Sequence, residues 1–279
     1  MNIGIVGLGL IGGSMGIDLK ALGTHKLMGV SRRATTCEQA VAQGIMDEAS
    51  PNLAILASAD VIFLCTPLAA LRPTVEQLVP HLSAHTILTD VGSVKASVVQ
   101  ELAPLWPNFV GGHPMAGTAE SGLSAAQSKL FVDKVYALTP IERTPSHAVE
   151  VVASIARSLQ CQVIHCRPDD HDRAVALISH LPVMVSASLI SACTADDSET
   201  VRTLAQTLAS SGFRDTSRVG GGNPELGIMM ARYNRDALLR SLSAYRTQLD
   251  AITHLIETED WSALEEILKR TQGDRLHFL

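Results

Sequence analysis

Several features that mark particular classes of protein are missing from this 279-residue sequence. The five cysteines are scattered and include no C-x-x-C pair, so we expect reduced, mostly buried thiols rather than a disulfide framework, and no metal site. An excess of positive charge is also missing, because 22 Lys and Arg residues stand against 28 Asp and Glu residues, a net charge of −6. That balance argues against a nucleic-acid partner and against binding to an anionic membrane surface.

Long apolar runs and targeting segments are missing as well. No apolar run reaches the length of about 18 residues that a membrane-spanning helix needs. The chain begins Met1-Asn2-Ile3-Gly4, without the basic region and apolar stretch of a secretory signal. We therefore expect a cytoplasmic protein with a small-molecule partner, and its 46% apolar and 18% charged residues are sufficient for a sizeable core.

Residues 1–167 alternate short apolar runs with segments of helical periodicity. This alternation predicts an α/β fold whose N-terminal part is a doubly wound, Rossmann-type domain that binds a dinucleotide. Most of the runs are continuously apolar, which is typical of parallel strands covered on both faces. The strand candidates are 2–6, 27–30, 61–65, 86–90, 109–111, 135–139 and 162–165, and the helix candidates between them include 11–22, 35–43 and 71–82.

Residues 168–279 show helical periodicity only, so we expect an all-helical C-terminal domain for substrate binding and dimerisation. Asn223-Pro224 follows a glycine run and suits a helix start with proline in the first turn. The long segment that follows is apolar enough for a subunit interface as well as a core, and the sequence does not separate the two. The helix candidates are 173–194, 198–210, 225–258 and 261–270.

The strongest local motif is G-L-G-L-I-G at residues 7–12, which follows an apolar strand and opens a helix. In this context Gly7 permits a tight turn, Gly9 lets the backbone approach a pyrophosphate, and Gly12 lets helix and strand pack closely. The free amides at the helix N-terminus, among them those of Leu10 and Ile11, then face the anion. The motif therefore predicts a dinucleotide site.

The end of the second strand indicates which dinucleotide binds. Proteins that bind NAD usually carry an acidic residue here for the adenosine ribose, and this chain has Ser31-Arg32-Arg33 instead. A hydroxyl and two guanidinium groups suit a 2′-phosphate, so the sequence predicts NADP. Two solvated loop arginines are the alternative.

The third strand ends in Cys65-Thr66-Pro67. We expect these three residues to lie alongside the cofactor, since ligands of doubly wound sheets bind at the carboxyl ends of the strands. An ordinary turn at the end of a strand is the alternative.

Two further segments follow strands and therefore fall at the same edge of the sheet. Ser93 lies in Asp90–Lys95 and could be a helix N-cap, although Lys95 in the first turn opposes the helix dipole. His113 lies between two glycines and a proline, which predicts a fixed loop outside helix and sheet. Because the pKa of histidine suits proton acceptance near neutrality, His113 is the candidate base, with a structural histidine as the alternative.

With these residues the chain resembles the TyrA family of prephenate and arogenate dehydrogenases. The motifs that carry the resemblance occur in order along nearly the whole chain. They are GxGxxG at 7–12, GSVK at 92–95, GGHPMAG at 111–117, HDR at 171–173 with SHLP at 179–182, FRDTSR at 213–218 and NPEL at 223–226.

The resemblance implies oxidative decarboxylation of a cyclohexadiene, with hydride transfer from its C4 to the nicotinamide. By analogy His113 accepts the proton of the 4-hydroxyl group, and Ser93 hydrogen-bonds the same hydroxyl. Arg218 binds a substrate carboxylate, with a surface arginine as the alternative, and Gly212 joins the substrate pocket. The family also implies a homodimer formed through the helical half.

His180 precedes Pro182, which cannot donate a hydrogen bond to the carbonyl of Ile178, so we expect a kink with a free acceptor. We interpret His180 as a substrate-pocket residue, with a core histidine as an equal alternative. His171 and Arg173 are assigned to a helix start or a domain junction.

Val183 departs from the family, because many relatives that use prephenate carry a second histidine there. Together with the arginines at the ribose position, this departure favours arogenate with NADP. Prephenate dehydrogenase, giving 4-hydroxyphenylpyruvate, is the alternative.

Three further classes compete with this interpretation. One is another NADP oxidoreductase with a helical second domain, such as a β-hydroxyacid dehydrogenase or imine reductase. A β-hydroxyacid dehydrogenase would carry an acid–base lysine early in that domain. Here Lys129 and Lys134 precede the domain and Lys269 lies near its end. A non-catalytic NADP sensor would bind the dinucleotide without turnover. A methyltransferase is opposed by Ser31-Arg32-Arg33, where it would normally carry an acidic residue.

Overall fold

The computed structural model describes residues 1–118 and 120–278, so the predicted halves contain one undescribed residue each, Ala119 and Leu279. An eight-stranded sheet with helices on both faces forms the N-terminal half, and helices alone form the C-terminal half, as predicted. The strands are β1 Asn2–Val6, β2 Lys26–Val30, β3 Glu48–Ser50, β4 Val61–Leu64, β5 Ile87–Asp90, β6 Phe109–Pro114, β7 Val135–Thr139 and β8 Gln162–His165.

Five α-helices accompany the sheet and seven form the C-terminal half. Those of the sheet half are α1 Leu10–Ala21, α2 Ala34–Ala42, α3 Leu68–Leu78, α4 Ala96–Leu102 and α5 Ser146–Ser158. Those of the helical half are α6 Pro168–Val175, α7 Leu181–Thr194, α8 Glu199–Leu208, α9 Ser211–Ser217, α10 Pro224–Tyr233, α11 Arg235–Glu257 and α12 Trp261–Asp274.

The strand order is β3-β2-β1-β4-β5-β6-β7-β8, and all neighbours are parallel except β6 and β7. The expectation of a parallel sheet is therefore wrong at one pair. The described residues between β6 and β7, 115–118 and 120–134, contain no α-helix, and a crossover of the kind that a parallel pair requires is not seen there. The sequence also missed β3, a short and polar strand at the edge of the sheet.

The continuously apolar strands fill both faces of the sheet. In β4, Val61 and Phe63 join the core formed with α1 and α5, while Ile62 and Leu64 join the core formed with α3 and α4. All four side chains are at most 1% exposed. This two-sided burial fixes the carboxyl ends of the central strands, where the candidate site residues lie.

The predicted helix 173–194 is one helical rod with a distortion in it. A π-helical turn, Ala176–His180, joins α6 to α7, and Pro182 occupies the first turn of α7. A proline without an N–H group weakens the preceding turn, which accommodates one extra residue. The expected irregularity before Pro182 is thus present in the form of a π turn.

The predicted helix 225–258 is wrong as a single element, because it breaks at Asn234 between α10 and α11. The Asn234 side chain donates hydrogen bonds to the carbonyl oxygen of Asp172 (2.8 Å) and to Nδ1 of His180 (3.2 Å). These buried contacts, which periodicity cannot reveal, hold the break against α6 and the π turn. The short helix α9 was also not predicted.

The rod Pro168–Thr194 is long and apolar enough to cross a bilayer by length and composition, contrary to the expectation from sequence. An 18-residue window within the rod has a mean hydropathy of 1.8, and 22% of this window is buried. The rod nevertheless carries buried polar side chains, among them His171, Asp172 and His180. Exposed apolar side chains of the helical half include Leu177, Ile178, Leu204, Leu208, Ile228, Leu249 and Ile256.

Candidate active site

The glycine motif forms a turn between β1 and α1 in which each glycine has a different surrounding. Gly7 has φ +102°, and a Cβ atom there would lie 2.5 Å from the carbonyl oxygen of Cys65. A Cβ atom at Gly12 would collide with the carbonyl oxygen of Gly7, whereas one at Gly9 would meet nothing within 4 Å. The motif therefore packs tightly on its inner side and leaves open space at Gly9.

This open space lies at the N-terminus of α1. The backbone N–H of Gly13 donates to the carbonyl of Gly9 at 2.8 Å, so the N–H groups of Leu10 and Ile11 precede the first intrahelical hydrogen bond. Such free amides, together with the helix dipole, bind a phosphate well. The cradle accordingly fits the pyrophosphate of a dinucleotide.

The serine and two arginines follow β2, which pairs with β1 in parallel, and Gly7 donates its backbone N–H to the carbonyl of Val30 at 2.8 Å. Ser31 is half-buried, while Arg32 and Arg33 are exposed. Neither guanidinium group forms an ion pair with any residue in the described ranges. Their charge is thus available to an anion beside the cradle.

The turn after β4 lies against the other side of the cradle, where Cys65 donates its backbone N–H to the carbonyl of Val6 at 2.7 Å. Burial raises the pKa of the Cys65 thiol. The Thr66 hydroxyl is buried and has no hydrogen-bond partner within residues 1–118 and 120–278. Pro67 is the N-cap residue of α3.

A buried ion pair fixes the segment after β5. Lys95 and Asp90 pair with 0% of either side chain exposed, and Lys95 Nζ also donates to the carbonyl of Gly112 at 2.7 Å. The Asp90 carboxylate accepts the backbone N–H groups of Gly92 (2.8 Å) and Gly112 (3.1 Å). Lys95 is the N-cap residue of α4 and not a first-turn residue as predicted; its bonds to Asp90 and Gly112 join this segment to β6, which explains a cation at the start of a helix.

Ser93 is half-buried in the same segment and is not the N-cap of α4, which begins at Ala96. The helix is capped by Asp172 of α6, whose carboxylate accepts the backbone N–H groups of Lys95 (2.7 Å) and Ala96 (2.8 Å). Because another residue supplies the cap, the Ser93 hydroxyl is available for a ligand.

His113 lies in β6, opposite Ala137 of β7, and not in a loop as the flanking glycines and proline predicted. The glycines have another reason: a Cβ atom at Gly111 would collide with Thr139, and one at Gly112 would lie 2.8 Å from the carbonyl oxygen of Asp90. The close packing of β6 between its neighbours thus requires glycine beside His113.

His113 is the end of a chain of hydrogen bonds that sequence reasoning missed. Its Nδ1 lies 2.9 Å from Nε2 of His171, and Nδ1 of His171 lies 2.8 Å from Oδ1 of Asp172. The two rings meet edge to face, with centroids 5.1 Å apart. Since 58 residues separate the histidines, only the HDR motif at the start of the helical half could have indicated the contact.

Burial lowers the pKa of His113 well below 6.5, and the neighbouring His171, Lys95 and His180 lower it further. The imidazole is therefore neutral at neutral pH. With Nδ1 bound to His171, Nε2 is the nitrogen left to accept a proton. The side chain is 8% exposed.

His180 is fully buried, and burial is the main cause of a pKa lowered to about 4. Its Nδ1 contacts Asn234, and its Nε2 has no hydrogen-bond partner in the part of the chain that the structure describes. The burial agrees with a core histidine and the unpaired Nε2 with a pocket residue, so the substrate role stays a prediction.

Arg218 and Gly212 lie on the helical half, where both are exposed and where Arg218 ends α9. Among the described residues, no carboxylate pairs with the Arg218 guanidinium. The following segment is fixed to α7, because Gly220 donates its backbone N–H to the hydroxyl of Ser186 at 2.8 Å. The roles of Arg218 and Gly212 in substrate binding stay predictions.

Comparisons with known proteins match both halves of the chain. The family described as "Prephenate dehydrogenase, nucleotide-binding domain" matches residues 15–165, and "Prephenate dehydrogenase, dimerization domain" matches residues 167–270. Prephenate dehydrogenase of Bacillus subtilis is 31% identical over 97% of this chain and 74% of its own length. Cyclohexadienyl dehydrogenase of Zymomonas mobilis is 30% identical over 99% of this chain and 95% of its own.

Solved structures match the chain over its whole length. Arogenate dehydrogenase of Synechocystis is 51% identical, with a TM-score of 0.94 and 100% of both chains covered. Prephenate dehydrogenase of Aquifex aeolicus, in complex with hydroxyphenyl propionate and NAD+, is 28% identical, with a TM-score of 0.93 and 100% and 98% of the chains covered.

The two helix-side glycines of the cradle give a matched pair of variants. Gly12→Ala should lower the free energy of unfolding by about 3 kcal/mol because its methyl group meets backbone. Gly9→Ala should change that free energy by less than about 0.5 kcal/mol, since its methyl group meets open space. It should nevertheless weaken dinucleotide binding at least tenfold. Urea unfolding and fluorescence titration measure the two effects, and equal destabilisation by both variants would contradict the assignment.

Acid should destabilise the protein through its buried neutral histidines. With the pKa of His180 lowered to about 4, the unfolded chain binds a proton below pH 6.5 that the folded chain does not. The free energy of unfolding should fall between pH 6.5 and 4 by up to about 1.4 kcal/mol per pH unit for each such group. In His180→Gln the slope should be shallower. Urea unfolding across this range measures it, and a slope equal to that of the wild type would count against the buried neutral state.

Proposed function

The chain belongs to the prephenate dehydrogenase family of oxidoreductases, and we propose that it converts arogenate to tyrosine by oxidative decarboxylation with NADP. The observation that carries the proposal is the neutral His113. Its Nε2 has no hydrogen-bond partner among the described residues, and it lies at the sheet edge that also holds the nucleotide cradle. Family membership makes the chain an enzyme that uses a nicotinamide cofactor, so the sensor and methyltransferase interpretations are dropped.

In the proposed reaction His113 and Ser93 act on the 4-hydroxyl group of the substrate. A bound nicotinamide supplies the acceptor for the hydride that leaves C4. His113 Nε2 takes the hydroxyl proton in the same step, which raises the electron density on oxygen, and Ser93 orients the hydroxyl. The bond from C1 to the carboxylate then breaks, its electron pair completes the aromatic ring, carbon dioxide leaves, and His113 returns the proton to the phenol oxygen.

General base catalysis contributes about 10²–10⁴-fold in such a step, and alignment of cofactor and substrate contributes much of the rest. The exposed Arg218 guanidinium has a geometry suited to a substrate carboxylate, and Gly212 is proposed to join the pocket from the first turn of α9. His180 completes the proposed pocket through its unpaired Nε2.

Two features support arogenate and NADP over prephenate and NAD. Val183 supplies an apolar side chain where a second histidine is found in many relatives that use prephenate, and it faces Gly227 of α10. Arg32 and Arg33 are exposed after β2, beside the cradle, and have no ion-pair partner within residues 1–118 and 120–278. Prephenate remains the second candidate, because the Bacillus subtilis relative carries that name and the Aquifex aeolicus structure holds NAD+.

The proposed division is a dinucleotide-binding domain, 1–167, and a substrate and dimerisation domain, 168–279. The end of β8 at His165 and the start of α6 at Pro168 support the boundary. The proposed assembly is a cytoplasmic homodimer. It is supported by the description of the matched C-terminal family and by the exposed apolar side chains of the helical half.

Replacing the proposed base tests the reaction directly. His113→Asn should lower kcat by about 10²–10⁴-fold because the proton acceptor is lost. Dinucleotide affinity should stay within threefold of the wild type, roughly 0.7 kcal/mol. His147→Asn, at an exposed histidine of α5, is the matched control and should leave both quantities unchanged. A His113→Asn enzyme with wild-type kcat would remove His113 from the chemistry.

Substrate and cofactor specificity can be tested together by pairing each substrate with each cofactor and following the absorbance of the reduced nicotinamide. The wild type should give its highest kcat/KM with arogenate and NADP. Arg32→Ala with Arg33→Ala should raise KM for NADP at least about tenfold, since each charge-assisted hydrogen bond contributes about 1.5–3 kcal/mol, and should affect NAD little.

The control for this pair is Arg157→Ala, an exposed arginine of α5 that pairs with Glu150. It should leave the cofactor preference unchanged. Equal losses for NADP and NAD in the double variant would refute the cofactor assignment, and a higher kcat/KM with prephenate would refute the substrate assignment.

A further inference from the structure

The carboxylate of Asp172 contacts the segment that carries Ser93 and the histidine that contacts His113, although Asp172 belongs to the other half of the chain. Its carboxylate accepts the backbone N–H groups of Lys95 and Ala96, which lie two and three residues after Ser93 in the chain. The same carboxylate lies 2.8 Å from Nδ1 of His171. Asp172 is 5% exposed, so all three interactions are shielded from water.

His171 continues the contact to the second catalytic side chain. It precedes Asp172 in α6, is 4% exposed, and reaches Nδ1 of His113 at 2.9 Å. Two adjacent residues of one helix thus contact β6 and the start of α4, which are parts of the sheet half.

We propose that His171 and Asp172 are positioning residues: they hold His113 in the tautomer that presents a free Nε2 and fix the segment that carries Ser93. This inference rests on the proposed role of His113 as the base. His171 and Asp172 touch neither substrate nor cofactor in this scheme.

The chemistry of the donors and acceptors fixes the direction of the chain. A carboxylate only accepts hydrogen bonds, so Nδ1 of His171 must carry the proton that lies between them. An imidazole that carries its single proton on Nδ1 has only a lone pair on Nε2, and Nε2 of His171 then accepts the proton on Nδ1 of His113. Nε2 of His113 is therefore left with its lone pair. The reverse arrangement would set two acceptors 2.8 Å apart at Asp172.

The arrangement also supports the charge that forms during the reaction. When Nε2 of His113 takes a proton, the ring becomes a cation in a buried place that already faces Lys95 and His180. The negative charge of Asp172 reaches that cation through the polarisable ring of His171, while the charge of Lys95 is paired with Asp90. A serine-histidine-aspartate triad uses a carboxylate in the same way to orient its histidine.

A double-mutant cycle separates positioning from a merely structural role. His171→Gln should lower kcat by about 10²-fold, the loss that a misplacement of about 1 Å causes, with KM and dinucleotide affinity within threefold of wild type. In a His113→Asn background the same change should cost less than threefold, because the side chain that His171 positions is gone. A loss of the same factor in both backgrounds, or a kcat within threefold of wild type for His171→Gln alone, would overturn the proposal.

Asp172→Asn provides a second variant and should lower kcat in the same way, whereas Asp170→Asn, an exposed neighbour on α6, should leave kcat unchanged. The tautomer of His113 can be determined in the unaltered protein from its side-chain ¹⁵N chemical shifts, so this test does not depend on whether a variant folds. Protonated Nδ1 and unprotonated Nε2 are expected, and the opposite tautomer would overturn the proposal. A His113→Asn enzyme with wild-type kcat would instead refute the underlying function.

Discussion

The carboxylate of Asp172 accepts two backbone N–H groups from the start of α4 and contacts the imidazole of His171, so the whole site depends on how α6 packs against the sheet. The sheet half supplies Ser93, His113 and the nucleotide cradle, and the helical half supplies the side chains that orient them. Asn234, between α10 and α11, reinforces this junction by donating to the backbone of Asp172. Either half alone would lack an ordered centre.

Much of the nucleotide-binding half could be predicted because its signals are local. The glycine motif, the continuously apolar strands and the basic residues after β2 each lie within a few residues of one another, where backbone sterics and periodicity act. The antiparallel β7 and the edge strand β3 could not be predicted, since the first depends on the absence of a crossover helix and the second is short and polar.

The candidate catalytic centre was predictable only in part, for a reason of distance along the chain. The sequence proposed His113 and Ser93 because each was expected to follow a strand at the same sheet edge. Their partners lie far away in sequence: 58 residues separate His113 from His171, and 54 separate Asn234 from His180. The position of His113 within β6 was mispredicted because glycines that relieve close packing look, in the sequence, like glycines of a loop.

The π turn between α6 and α7 sets the rotation of α7 relative to α6 about their common axis. Successive residues of an α-helix are about 100° apart around its axis, so one residue more or fewer between His171 and Ser186 would rotate α7 by that angle relative to α6. Ser186 would then point away from Gly220, while His171 kept its place at His113. The length of this segment, and not only its composition, is therefore under constraint. With one residue inserted or deleted there, His171 and Ser186 could not make their contacts with His113 and Gly220 at the same time.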